Sequence, residues 1–171
     1  FIIAGDIIYN MAHDVPRPEW STGRLVKGSD IDLVAVVEDA MNDSAVNTLD
    51  DMVYRKKYRM LIDPSVNEKV DYKIKKLELV REQAEFDNFK NMVASKILHE
   101  GLLLQGSETL FNSVKKILKE KRVPKKLYEL EKYAMEFRKK AENSILLNDL
   151  DKSEVEKMYL FYSVEEFEEF E

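Results

Sequence analysis

Apolar residues along this chain follow two spacings, which predict where strands and helices lie. Continuous aliphatic runs are typical of buried strands, and alternation of apolar with charged residues indicates a strand with one solvated face. One short apolar run, which Gly106-Ser107 ends, is either an edge strand or a buried connector. The predicted strands are residues 1–5, the aliphatic part of residues 27–38 and the alternating segment 69–74; the ambiguous run is residues 102–105.

Helical periodicity covers most of the remaining chain. Ser44 is the expected cap of the first long helix, which Asp63-Pro64 ends, and Gly101 closes the second. A further short helix is expected to begin at Asp6. Asp151 with Glu154 resembles a capping box, and residues 164–171 are expected to fray. The predicted long helices are residues 44–62, 78–100, 107–121 and 124–147, with a last one to residue 162.

Residues 13–27 break the pattern. Pro16 and Pro18 exclude regular helix, so this segment is expected to be a long connecting loop. It contains Arg17, Trp20, Arg24 and Lys27. Two interpretations stay open, a loop with a functional role and a solvated loop with Trp20 against the core.

The order of elements predicts an α+β fold, with a small mixed sheet flanked by helices and followed by a C-terminal helical bundle. A boundary at Gly106-Ser107 would divide the chain into residues 1–106 and 107–171. Only five glycines and four prolines in 171 residues also favour a helix-rich protein. The chain opens on Phe1 inside an apolar run, so we expect that some N-terminal sequence is missing.

Composition excludes some classes of function. The formal net charge of −6 argues against a general nucleic-acid binder, although a local basic groove stays open. The absence of cysteine excludes disulfides and thiolate metal sites, which fits a cytoplasmic protein. No apolar run is long enough to span a bilayer, so no membrane partner is expected. The two histidines, His13 and His99, lack a partner at zinc-ligand spacing.

Two aspartates at the start of the central strand indicate a metal site. Asp30 and Asp32 are separated by one residue, so they point to the same face of the strand, about 6.5 to 7 Å apart. Two adjacent like charges gain nothing for folding, whereas Mg²⁺ binds carboxylate oxygens and removes their repulsion. Asp71 lies on the charged face of the later strand, with Lys69 and Lys73. The simpler interpretation of Asp71 is a surface strand with charge pairing.

These residues carry a resemblance to a known family. Ser29-Asp30-Ile31-Asp32-Leu33 resembles the Ser-Asp-x-Asp signature of the DNA polymerase β-like nucleotidyltransferases, and in particular the minimal nucleotidyltransferases. Val70-Asp71-Tyr72 is similar to the strand that supplies the family's third carboxylate. Residues 97–104 resemble the segment that closes the family's core. The resemblance covers about residues 1–106.

The resemblance implies an activity and a set of site residues. Asp30, Asp32 and Asp71 would be the catalytic residues and would hold two Mg²⁺ ions. The enzyme would transfer an NMP group, with AMP expected, from a nucleoside triphosphate to a hydroxyl group. The acceptor would be a partner protein of toxin–antitoxin type, an aminoglycoside-like small molecule or an RNA end. The residues expected at the nucleotide are Gly5, Asp6, Arg24, Lys27 and Ser29.

One departure from the family pattern keeps a second function open. The family has Gly-Ser at the end of its first strand, where the serine contacts the terminal phosphates, whereas this chain has Gly5-Asp6. A carboxylate facing a triphosphate is unfavourable unless a cation lies between them. The alternative is therefore a catalytically degenerate domain that keeps the fold and acts as a binding or regulatory partner.

Overall fold

The computed structural model describes residues 1–9, 17–19, 23–26 and 31–146, and the structural statements below concern these residues. The expected capping box at Asp151 and the tail, together with His13 and Trp20, lie outside them. The fold class is α+β, as predicted. The strands are β1 (Ile2–Ala4), β2 (Arg17–Glu19), β3 (Arg24–Val26), β4 (Ile31–Val37), β5 (Val70–Lys76) and β6 (Leu102–Leu103); the helices are a 3₁₀ helix (Asp6–Tyr9), α1 (Asp43–Ile62), α2 (Leu77–Gln83), α3 (Phe89–Glu100), α4 (Glu108–Glu120) and α5 (Val123–Leu146).

Four strands form a mixed sheet in the order β5-β4-β1-β6. β4 pairs with β5 in parallel, and β1 pairs antiparallel with both β4 and β6. The run after Gly101 is thus an edge strand, the first of the two interpretations left open by the sequence. The inner strands β1 and β4 supply core residues, including Ile2, Ala4 and Val34.

The expected loop at residues 13–27 contains a hairpin, which corrects the sequence prediction. β2 and β3 pair antiparallel, with Pro18 opposite Leu25. Proline is tolerated in a two-stranded ribbon because a strand there needs hydrogen bonds on only one side. The side-chain amide of Asn67 donates to the Leu25 carbonyl oxygen at 2.9 Å, so the hairpin is bound to the segment that leads into β5.

Helix α1 connects the parallel strands β4 and β5, because parallel neighbours need a crossover of this kind. Its extent agrees with the prediction, but its cap is Asn42 and not Ser44. Asn42 has an extended backbone, and its side chain accepts a hydrogen bond from the Ala45 amide at 2.8 Å. Asp63 ends the helix before Pro64, as expected.

The predicted helix 78–100 is two helices, which is a second correction. α2 ends at Gln83, and α3 begins after its own cap, Asn88, whose side chain accepts from the Asn91 amide at 2.9 Å. Between them Phe86 takes a positive φ of 63° and is buried. Burial of this ring inside the fold outweighs the continuous helical spacing of the sequence. Gly101 is the C-cap of α3, as predicted.

Helix α4 packs against α2 and α3, with Val114 and Leu118 buried and Ser107 as its cap. Lys115 also joins α4 to the end of α3. Its ammonium group donates to the carbonyl oxygens of Leu98, His99 and Gly101 at 2.8, 2.6 and 2.8 Å. These carbonyls lie in the last turn of α3, where they lack partners within the helix. Lys115 therefore caps α3 from outside.

The chain divides into two compact units, Phe1–Val123 and Pro124–Glu171. We expected the division after Gly106, whereas the first unit also contains α4. In the second unit the structure describes helix α5, which begins beside Pro124 as the sequence predicts. None of the helices in the described ranges is both long and apolar enough to cross a membrane.

Candidate functional site

The sheet brings two of the three predicted carboxylates together. Asp32 on β4 and Asp71 on β5 are direct partners in the parallel register, so their side chains leave the same face of the sheet. Neighbouring strands lie about 4.8 Å apart, which places these carboxylates within the reach of one cation. The predicted metal site requires Asp71 on the same face of the sheet as Asp32, and the parallel register places Asp71 on that face.

Gly5 lies directly against Asp32. The antiparallel register pairs Ala4 with Asp32, and Gly5 follows at the end of β1 with a positive φ of 78°. A Cβ atom added to Gly5 would lie 2.3 Å from Oδ2 of Asp32 and 3.1 Å from its Cγ. Glycine is thus needed here for its backbone conformation and for its lack of a side chain.

Two lysines hold Asp71 from different elements. Nζ of Lys57 on α1 lies 3.2 Å from Oδ1 of Asp71, and Nζ of Lys69, just before β5, lies 3.0 Å from Oδ2. Partial burial of Asp71 favours its neutral form, but the hydrogen bonds and charges of Lys69 and Lys57 outweigh this, so its pKa is lowered. Asp71 is therefore ionised and accepts hydrogen bonds on both oxygens.

The neighbouring residue of β5 positions Lys57. Nζ of Lys57 lies 5.8 Å from the centre of the Tyr72 ring, and the Tyr72 hydroxyl donates to Oδ1 of Asp50 on α1 at 2.9 Å. Desolvation and the bond to Asp50 raise the pKa of Tyr72 to about 12, so its hydroxyl stays protonated and keeps this bond. Tyr72 thus fixes α1 to β5 beside the Lys57–Asp71 pair.

The other predicted site residues fall into two groups. Asp6 is exposed and begins the 3₁₀ helix directly after Gly5, and Arg24 is the first residue of β3. Lys27, Ser29 and Asp30 lie outside the described residues. The place of Asp30 in the metal site therefore stays a prediction from the Asp-x-Asp spacing.

The described residues offer a partial metal site. Asp32 and Asp71 provide hard oxygen donors on adjacent strands, which suits Mg²⁺. Within the described ranges no group of three or more potential ligands converges. Both oxygens of Asp71 are paired with Lys57 and Lys69, so a divalent ion bound by Asp32 and Asp71 would have to share these oxygens with a lysine or displace one. The number of ions, two by the resemblance, stays a prediction, because Asp30 lies outside the described residues.

We expect Gly5→Ala to damage the site through Asp32. The new methyl group would force the Asp32 carboxylate out of its position, and an L-residue at this φ costs about 1–2 kcal/mol. We predict about that loss in the free energy of unfolding, together with at least a tenfold loss of Mg²⁺-nucleotide affinity. Denaturant unfolding and calorimetric titration measure the two effects.

Gly23→Ala is the matched control for this prediction. Gly23 has a similar φ of 64°, but no atom of the described residues lies within 4 Å of a Cβ atom added there. The control should show the backbone cost without the loss of binding. Equal nucleotide affinity in both variants would contradict the assignment of Gly5.

Two cavities in the described part of the chain lie away from Asp32 and Asp71. One, of about 330 Å³, is at the far end of β5, where Ile74, Lys76 and Leu79 are among the lining residues. The other, of about 160 Å³, is lined mainly by apolar residues, including Ile2 and Leu103. The Asp71 carboxylate is partly exposed, with 42% of its side chain accessible, and the site rests on the chemistry of the two carboxylates.

Sequence reasoning identified only part of this environment. Strand alternation places Lys69 and Lys73 on the Asp71 face, and Lys69 does pair with Asp71. Nothing in the local sequence marks Lys57, which is fourteen residues away on a helix. A helix that crosses between two parallel strands returns its C-terminal half to the start of the second strand, and this topology is the signal that would have found it.

Comparison with known proteins assigns no family. No family model, curated protein or solved structure matches the chain. The nucleotidyltransferase resemblance therefore stays a hypothesis.

Proposed function

We propose that this chain is a metal-dependent nucleotidyltransferase that moves an NMP group, with AMP expected, from a nucleoside triphosphate to a hydroxyl acceptor. The observation that carries the proposal is the pairing of Asp32 with Asp71 on one face of the sheet, with Gly5 against Asp32. Asp32 and Asp71 offer hard oxygen donors on adjacent strands, which are the ligands that Mg²⁺ prefers. The same arrangement is what the Asp-x-Asp resemblance implies.

In the proposed reaction the acceptor oxygen forms a bond to the α-phosphorus, the bond from that phosphorus to the bridging oxygen breaks, and pyrophosphate leaves. The proton of the acceptor hydroxyl passes to water. Mg²⁺ held by Asp32, Asp71 and the expected Asp30 would supply charge neutralisation at the attacking and leaving oxygens. Asp71 holds the metal and orients the acceptor hydroxyl, and a carboxylate kept ionised by adjacent cations is too weak a base to retain the proton.

The acceptor is proposed as a hydroxyl of a partner protein, with a small molecule or an RNA end as the other possibilities. A transfer experiment identifies it: the protein is incubated with a lysate and each α-labelled nucleoside triphosphate, with Mg²⁺ or with EDTA. We expect Mg²⁺-dependent label in one acceptor class, with release of pyrophosphate. Absence of transfer with all four nucleotides would contradict the proposal.

A binding or regulatory domain is the second candidate function. The observation that favours it is the double ion pair of Asp71, since Lys57 and Lys69 neutralise this carboxylate without a metal. A thermal-shift series with ATP, GTP, CTP and UTP separates the two candidates. Mg²⁺-dependent stabilisation by one nucleotide supports the enzyme, and a flat response to all four supports the binding domain.

A further inference from the structure

We infer that Lys57 and Lys69 form a polyphosphate-binding pair that holds Asp71 and transfers to the phosphates when a metal–triphosphate binds. The inference rests on the proposed nucleotide site and assigns a further role within it. Lys57 and Lys69 bind Asp71 first and the triphosphate afterwards.

The two lysines are placed to serve either partner. Each ammonium group contacts Asp71, and the two side chains stay partly exposed, at 28% and 29%. Lysine has three donors on a flexible four-carbon chain, and an ammonium group can move between acceptors without a change in the backbone. One end of each pair is fixed, because the Asp71 backbone belongs to β5.

Charge decides when this exchange occurs. Among the described residues at the site, the formal charges of Asp32, Asp71, Lys57 and Lys69 sum to zero. A divalent ion alone would make the cluster positive beside two ammonium groups, which opposes its binding. A metal–triphosphate adds phosphate oxygens that both the ion and the lysines attract. The site is therefore built to bind the metal and the polyphosphate together, and to bind the metal poorly alone.

This inference predicts effects of opposite sign from one substitution. Lys57→Met removes a cation that competes for Asp71, so affinity for Mn²⁺ alone should rise about tenfold. The same change removes a phosphate donor, so affinity for inorganic triphosphate in the presence of Mg²⁺ should fall about tenfold. Inorganic triphosphate is the probe because it needs no knowledge of the base. Lys69→Met should behave in the same way.

Two further variants make the test specific. Lys56→Met removes an exposed lysine from the same helix and should change neither affinity. Lys57→Arg keeps the cation and should retain triphosphate binding. If Lys57→Met weakens both ligands, its role is structural and the inference is overturned; unchanged affinities, or no triphosphate binding by the wild type, overturn it as well.

Failure of this inference can be distinguished from failure of the proposed function. Label transfer by the wild type with unchanged affinities in the Lys57 and Lys69 variants would overturn the lysine roles alone. Opposite changes in the two affinities without any transfer would overturn the enzyme and leave a polyphosphate-binding site.

Discussion

Replacement of Asp32 by Asn should lower the rate of nucleotidyl transfer about a thousandfold, which corresponds to about 4 kcal/mol of transition-state stabilisation. Asn keeps the shape of the side chain but removes the charge that holds the cation. Asp32 lies between Ala4 and Asp71 in the sheet register, so a substitution of equal size leaves the strand pairing in place. Pyrophosphate release measures the rate, and thermal unfolding checks that the fold is retained.

Glu38→Gln is the control for Asp32→Asn. Glu38 is an exposed carboxylate directly after the opposite end of β4, where it is remote from Asp71 in the register. Its substitution should leave the rate unchanged. Near-full Mg²⁺-dependent activity in Asp32→Asn would contradict the assignment.

Replacement of Lys75 by Met should stabilise the protein by about 2 kcal/mol at pH 7. Lys75 is only 8% exposed, and its ammonium group donates to Oε1 of Gln83 at 2.9 Å. Desolvation, with the charge of Lys73, lowers the pKa of Lys75 from 10.5 to about 8. The charged form of Lys75 therefore costs about 3 kcal/mol in the folded state. Lys75→Met removes this cost but also loses the hydrogen bond to Gln83, which contributes about 1 kcal/mol.

The pH dependence of this stabilisation follows from the lowered pKa. Below about pH 8 Lys75 is protonated in both states, so the cost is fully present. Between about pH 8 and 10.5 the unfolded chain binds more protons, so the stability of the wild type rises with pH. The gain from Lys75→Met should shrink over that range in denaturant unfolding.

Lys90→Met provides the comparison for Lys75→Met. Lys90 is exposed on α3, so its loss should change stability little and leave the pH dependence of the wild type in place. A gain from Lys75→Met that is constant between pH 7 and 10 would contradict the account of Lys75.

Local patterns predicted the elements whose own residues determine them. The aliphatic run of β4 and the C-cap glycine of α3 are examples, since the information lies within a few residues. The hairpin β2–β3 was missed because the pairing of Pro18 with Leu25 and the bond from Asn67 are not local. The break at Phe86 was missed for the same reason, although Asp87-Asn88 is a cap signal that could have marked the start of α3.

The site residues also divide into those that local patterns predict and those that depend on contacts distant in the sequence. Asp32 and Asp71 could be proposed from strand alternation and from the family resemblance, because each depends on its own strand. The Gly5–Asp32 contact requires the antiparallel register of β1 and β4, and the Lys57–Asp71 pair requires the crossover of α1. Single-sequence patterns do not contain either relation.

The central claim is that carboxylates from β4 and β5 hold one metal–polyphosphate together. Counting bound Mn²⁺ by electron paramagnetic resonance, in the presence of inorganic triphosphate, tests it most directly. We predict at least one ion bound to the wild type, and loss of that ion in both Asp32→Asn and Asp71→Asn. Retention of the ion in both variants, or no bound ion in the wild type, would contradict the account.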